Sequence, residues 1–186
     1  MAGTLQAQHI LSRVRNILQD NTGVRWTDGE MFDYLSDGQR EIANLRPDAT
    51  ATHSNVQLAT GTEQTIPTDG LRLLKLVRNM SGSGTDATGA RSIRIVTEDS
   101  LNSTEPRWHD PTVTGDATHS TEIKHYIFDA NDPRKFYVYP GVAGSAYVEV
   151  VYSKNPTNLG AATDVLQVDD IYALSLIHIS EPTRLR

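Results

Sequence analysis

From Thr4 to Asp20 the apolar residues Ile10, Leu11, Val14, Ile17 and Leu18 recur at helical spacing, with Gln6, Gln8, Arg13, Arg15 and Gln19 polar between them. A 3.6-residue period gathers that apolar set onto one side and predicts an amphipathic helix. Asn21, Thr22 and Gly23 end it. A second helix opens with two independent signals: Thr27 with Glu30 three residues on forms a capping box, and Trp26 with Met31 has the spacing of a hydrophobic staple. Its inward positions are predicted to be Met31, Leu35, Ile42 and Leu45. Pro47, which lacks an N–H and restricts the residue before it, stops the helix at about Leu45. The result is a helical hairpin over residues 4–46.

Beyond the hairpin the period changes. Val56 to Ala59, Gln64 to Ile66, Leu71 to Met80 and Arg91 to Val96 are short β-rich runs, broken by Gly61, Pro67, Asp69 and Gly70. Ser81 to Ala90 holds no large apolar residue and is expected to be a hairpin loop. Thr97, Glu98 and Asp99 suit the start of one short helix before Pro106, and Arg107 to Ser120 is expected to be irregular. Strands are predicted at Ile123 to Phe128, at Phe136 to Tyr139 after the Asp129 to Pro133 turn, and at Ala146 to Tyr152. Alternation from Phe136 to Tyr139 makes both faces apolar, so one face is expected on the helices and the other on a neighbouring subunit. Val168 to Ala173 begins like a helix, with Asp169 and Asp170 where carboxylates favour a first turn. Helices at both ends of a β block define an α+β fold, a single domain with a β insertion over about 55–153 and the start of a C-terminal helix over 168–173.

Composition narrows the chemistry. No cysteine is present, which removes disulfides, thiolate metal sites and cysteine nucleophiles. No apolar run approaches the ~20 residues of a membrane span, and Met1 to Gln8 lacks the pattern of a signal peptide. The net charge of −6 disfavours nonspecific grip on nucleic acid. His9, His53, His109, His119 and His125 form no helical metal-ligand pattern, and no nucleophile elbow, phosphate-binding loop or dinucleotide fingerprint occurs. Trp108, His109 and Asp110 can be imagined as an aromatic-histidine-carboxylate unit, but an anchored loop with Trp108 plugging the core explains them more simply. Glu98, Asp99 and Glu105 are candidates for acid/base work, and a helix start accounts for the first two. No catalytic residue, cofactor or metal is expected.

The basic residues Arg72, Lys75, Arg78, Arg91 and Arg94 lie on two adjacent predicted strands joined by the loop. Alternation puts Arg72, Leu74, Leu76 and Arg78 on one face and Leu71, Leu73, Lys75 and Val77 on the other. Two readings fit: a ribbon lying against another subunit, or an edge guarded by charge against aggregation. With Trp108, Tyr137 and Tyr139 these residues form the candidate interface.

The run Leu174, Ser175, Leu176, Ile177, His178, Ile179, Ser180, Glu181, Pro182, Thr183, Arg184 resembles a one-frame translation of the transposon end and adapter used in DNA library preparation. Residues 174–186 are therefore expected to be an artefact tail on a truncated chain. Without that tail the charge becomes −7, because Arg184 and Arg186 leave the 17 basic residues and Glu181 leaves the 23 acidic ones. Loss of a helix burying about four apolar side chains costs roughly 6 to 12 kcal/mol, comparable to the ~5 to 15 kcal/mol stability of a domain. A marginal or aggregating fragment is expected on that ground.

The run Trp26, Thr27, Asp28, Gly29, Glu30, Met31, with Tyr34, Leu35, Asp37, Gln39, Arg40, Glu41, Ile42, Leu45, Arg46, Pro47 and Asp48, resembles the second helix of the head-to-tail adaptor (connector, tail tubular-like) proteins of tailed phages. Leu73 to Asn79, the Asp132-Pro133-Arg134 turn leading into Phe136-Tyr137-Val138-Tyr139-Pro140, and Glu149 to Ser153 are similar as well. The resemblance implies a structural virion protein in the phage neck, assembled in the bacterial host cytoplasm. It implies a self-associating ring between the portal protein and a tail or nozzle protein, through which DNA passes, with no membrane partner. Unlike surfaces on a helical hairpin and an extended ribbon suit the head-to-tail contacts of a ring. Two other readings stay open: a tail-associated module recognising a protein or glycan through Trp108, Tyr126, Tyr137 and Tyr139, and an enzyme using the histidines and carboxylates.

Overall fold

A computed structural model describes residues 3–115, 117–129 and 131–180, with residues 181–186 of the expected tail outside that set. The fold is α+β, with four α-helices and eight strands in two sheets among the described residues. The chain divides into two compact units, residues 1–51 with 154–186, and residues 52–153.

In the first unit, helix α1 spans Ala7–Leu18 and buries Ile10, Leu11 and Val14, whereas Ile17 is exposed. Its start carries no side-chain cap. The Ala7 and Gln8 N–H groups donate instead to the carbonyls of Asp164 (2.8 Å) and Ala162 (2.9 Å), which satisfies first-turn donors that local sequence leaves open. The helix ends at Leu18, ahead of the predicted Asn-Thr-Gly stop at residues 21–23, with Gln19 as its C-cap in the left-handed region (φ 56°). Asp20 then accepts from the N–H groups of Val24, Arg25 and Trp26 at 2.8–3.0 Å, and these bonds, led by that of Trp26, hold its carboxyl below the ordinary range. Helix α2, Asp28–Leu45, opens with the predicted capping box. Met31, Leu35 and Ile42 are buried as predicted; Leu45 is exposed, since it falls in the last turn before Pro47 redirects the chain.

Two buried polar side chains of α2 hold the return segment. Ser36 accepts from the Leu159 N–H at 3.0 Å and Gln39 accepts from the Gln167 N–H at 2.7 Å, which seats Leu159, Leu166 and Val168 in the same core as α1 and α2. Asp170 binds the Thr4 and Leu5 backbones and tethers the beginning of the unit to its end. After a 3-10 turn at Asp170–Tyr172, helix α4 covers Ala173–Ser180 and buries Leu176 and Ile177. Helix α3, Glu98–Thr104, belongs to the second unit; Thr97 precedes it without making a side-chain cap.

The second unit holds β1 (Ala51–Gln57), β2 (Gly61–Thr65), β3 (Gly70–Met80), β4 (Gly89–Ser92), β5 (Arg94–Ile95), β6 (His125–Phe128), β7 (Lys135–Val142) and β8 (Tyr147–Lys154). One sheet has the order β1-β8-β3-β4, the other β2-β7-β6-β5. The pairs β2–β7, β3–β4 and β6–β7 are antiparallel, while the two residues of β5 pair parallel with β6. Leu73, Leu76, Val148, Val150 and Tyr152 of the first sheet meet Tyr126, Phe136, Val138 and Val142 of the second in one apolar core. The opposite face of the second sheet offers Ile127 and Tyr139 to Leu101, Trp108 and Ala117. Both faces of β7 are thus covered within the β unit, one by the partner sheet and one by α3 and its following loop. The expectation of helices on one side and a neighbouring subunit on the other is corrected accordingly.

Candidate functional site

Strand β3 departs from simple alternation. Its buried residues are Gly70, Leu73, Leu76 and Asn79, a spacing of three, and Arg72, Lys75 and Arg78 are all exposed. Strict alternation would place Lys75 opposite the two arginines and Leu73 opposite Leu76, so the predicted division of faces does not hold. Part of the reason lies in the β3–β4 pairing, where the register shifts between Arg78↔Ser92 and Met80↔Gly89. A bulge turns the strand locally, and Asn79 points inward there. Its amide donates to the carbonyls of Arg91 (2.9 Å) and Ile123 (2.8 Å), and its oxygen accepts from the Ile123 N–H at 2.8 Å. One buried side chain thereby joins β3, β4 and the approach to β6.

The exposed ribbon carries two kinds of cation. Arg78 donates to Glu149 at 2.7 Å, and His53 meets the other oxygen of that carboxylate at 3.1 Å, forming a row across β1, β8 and β3. The His53 hydrogen bond, with Arg78 adding to it, holds the Glu149 carboxyl below its ordinary range despite its partial burial. Arg91 pairs with Glu122 at 3.1 Å. Arg72, Lys75 and Arg94 are exposed and have no ion pair among the described residues. Arg72 also borders a shallow cleft of about 500 Å³ lined by Leu73, Leu74, Phe128, Asp129 and Pro133.

The aromatic members of the predicted interface are placed differently. Trp108 and Tyr139 are 1% and 6% exposed, and Tyr137 is half-buried. The Trp108 indole N–H donates to Asn102 at 2.8 Å, and its ring stands edge-on to Tyr137 and against His109. Trp108 and Tyr139 are therefore corrected from interface residues to interior supports of the second sheet. Tyr126 is buried as well. Three of the four aromatics required for partner or glycan recognition are thus turned into the fold.

The imagined Trp108-His109-Asp110 unit is a braced turn. Asp110 accepts from the Thr112 hydroxyl, from Arg107 and from the Thr112 N–H, and these bonds drive its carboxyl far down. His109 lies 2.8 Å from the Thr62 hydroxyl, and burial lowers its imidazole. His125 stacks on Tyr139 and is lowered by burial, then by Arg91, Arg94 and Lys124. His119 packs over Gly141 beside a separate cleft. Among the described residues no group of three or more His, Cys, Asp or Glu side chains converges to hold a metal. Glu98 and Asp99 occupy the first turn of α3.

The chain belongs to the SU10 adaptor protein family, whose model matches residues 5–179. It is accordingly a phage structural adaptor protein, a component of the virion. No curated protein matches it. Among the described residues no helix is long and apolar enough to cross a membrane.

Proposed function

We propose that the chain is a subunit of the head-to-tail adaptor ring, set between the portal protein and a tail or nozzle protein and forming part of the conduit for DNA ejection. The observation that carries this reading is the pairing of family membership over residues 5–179 with a β unit whose polar outer ribbon stands on a doubly packed core. Ring subunits need two unlike surfaces, and the helical unit and the ribbon supply them. A net charge of −6 suits passage, because a conduit rich in basic residues would neutralise phosphates and retain the DNA. Both units act together as one adaptor-like domain, assembled in the host cytoplasm and carried in the phage neck, without catalysis. The test is co-sedimentation with the portal protein encoded by the same genome. Stoichiometric binding supports the reading; no binding at micromolar concentration of both proteins opposes it.

We further propose that Leu174–Arg184 derives from sequencing adapter and replaces natural sequence. Leu176 and Ile177 are buried in the core of the helical unit, as apolar residues of a helical string are whatever their origin. Reading the gene from overlapping genomic DNA decides it: a different continuation after Ala173 supports the proposal, and the same string in unfragmented DNA removes it.

A further inference from the structure

Each unit presents charges that the chain leaves without a counterion. On α2, Asp28 is held by Arg15, Glu30 closes the capping box and Asp37 pairs with Arg40. Asp33 and Glu41 are exposed and have no ion-pair or hydrogen-bond partner among the described residues. On the ribbon, Arg78 and Arg91 are held by Glu149 and Glu122, whereas Arg72 and Lys75 are exposed without an ion pair.

The unpaired sets match in span as well as in sign. Eight residues of helix separate Asp33 from Glu41 by about 12 Å at 1.5 Å per residue. Three residues of strand separate Arg72 from Lys75 by about 10 Å at 3.3 Å per residue. Exposed ion pairs contribute only about 0 to 1 kcal/mol each, so a stable contact also needs apolar burial. Tyr34, 39% exposed, lies with Asp33, Asp37 and Glu41 inside an arc of about 100° on α2. The cleft beside Arg72 is floored by Leu73, Leu74, Phe128 and Pro133, and Phe128 is itself 38% exposed. An aromatic side chain entering such a pocket is the usual anchor of a protein interface.

We infer that the outer face of α2 in one copy docks on the β3 ribbon of the next, with Asp33 and Glu41 facing Arg72 and Lys75 and Tyr34 entering the cleft. The inference rests on the ring reading and assigns it a subunit contact. The contact is heterologous, so an open assembly keeps one free α2 face at one end and one free ribbon at the other and grows until it closes.

Two charge-reversed chains test it, one with Arg72→Glu and Lys75→Glu, the other with Asp33→Lys and Glu41→Lys, each checked by circular dichroism for native helix content. Mass photometry at physiological salt is expected to show assembly of the unaltered chain. Each reversed chain alone should associate roughly 30-fold more weakly, about 2 kcal/mol, because like charges now face each other. An equimolar mixture should assemble again by alternation, since the two altered faces complement each other and so do the two unaltered ones. Recovery in the mixture supports the inference whatever small stability losses the substitutions bring. Reversed chains that assemble like the unaltered one, or a mixture that does not recover, overturn the inference alone. An unaltered chain that stays monomeric at every concentration overturns the ring reading beneath it.

Discussion

Replacing Asn79 with leucine keeps the branch at Cγ, adds bulk at a buried position and removes three hydrogen bonds, from its amide to the carbonyls of Arg91 and Ile123 and from the Ile123 N–H to its oxygen. The Ile123 N–H then has no acceptor, and a buried donor in that condition costs about 1 to 3 kcal/mol. The two carbonyl bonds add about 0.5 to 1.5 kcal/mol each, and the apolar gain from leucine returns part of the total. The expected net loss is about 3 kcal/mol, a large fraction of the ~5 to 15 kcal/mol available to a domain. Urea unfolding gives the stability, and amide exchange at Ile123 gives the local effect. Asn79→Asp should cost as much at neutral pH, because the introduced carboxylate keeps the N–H but meets two carbonyls with no proton to offer. Part of that loss should return as acid protonates the new carboxyl. A leucine variant within about 0.5 kcal/mol of the parent, with unchanged exchange at Ile123, would refute the view that this side chain joins the two sheets.

Other outcomes follow from the same packing. Thr27→Ala should destabilise the helical unit by about 1 kcal/mol through loss of the cap, read as a lower melting temperature. A Cβ at Gly38 would lie 3.2 Å from Leu176 and 3.3 Å from Ile179, so Gly38→Leu should push α4 off α2 at a cost of about 1 to 3 kcal/mol. Faster amide exchange across residues 173–180 would report it, and unchanged exchange would deny the docking. His109 and His125 both have imidazoles lowered by burial. The unfolded chain therefore takes up protons first as pH falls below the ordinary histidine value of 6.5, and stability present above that pH is lost as pH passes down through the folded values. A second loss should follow below the ordinary glutamate value of 4.5, where Glu149 is protonated through its lowered folded pKa and leaves Arg78. Melting scans between pH 8 and 3 check both windows, and equal stability at pH 7.5 and 5 would contradict the first.

Legibility in the sequence followed the range of the interactions. The opening of α2 was legible because its capping box lies within four residues, Thr27 to Glu30. The start of α1 was not, because its donors are satisfied by Ala162 and Asp164 far along the chain. The first half of β1, Ala-Thr-His-Ser-Asn, carries no apolar alternation, since it lies at a sheet edge and is partly exposed on both sides. The inward Asn79 of β3 depends on a register shift between Arg78 and Met80 and on partners 12 and 44 residues away. For the ribbon, residue type was enough to predict exposed cations. Which of them remain unpaired is settled by Glu149 and Glu122 on other strands and loops, invisible to any local pattern. Trp108 reads from the sequence as a plug of the core, and its burial agrees, whereas Tyr137 and Tyr139 look alike and only the α3 segment folded over β7 separates the buried Tyr139 from the half-exposed Tyr137.

The central claim, a ring-forming adaptor subunit, is tested most directly by imaging the purified chain with its genome's portal protein in negative stain. Closed rings of uniform copy number seated on the portal are the expected result. A chain that remains a clean monomer in the presence of that portal, at concentrations well above those in an infected cell, would contradict it.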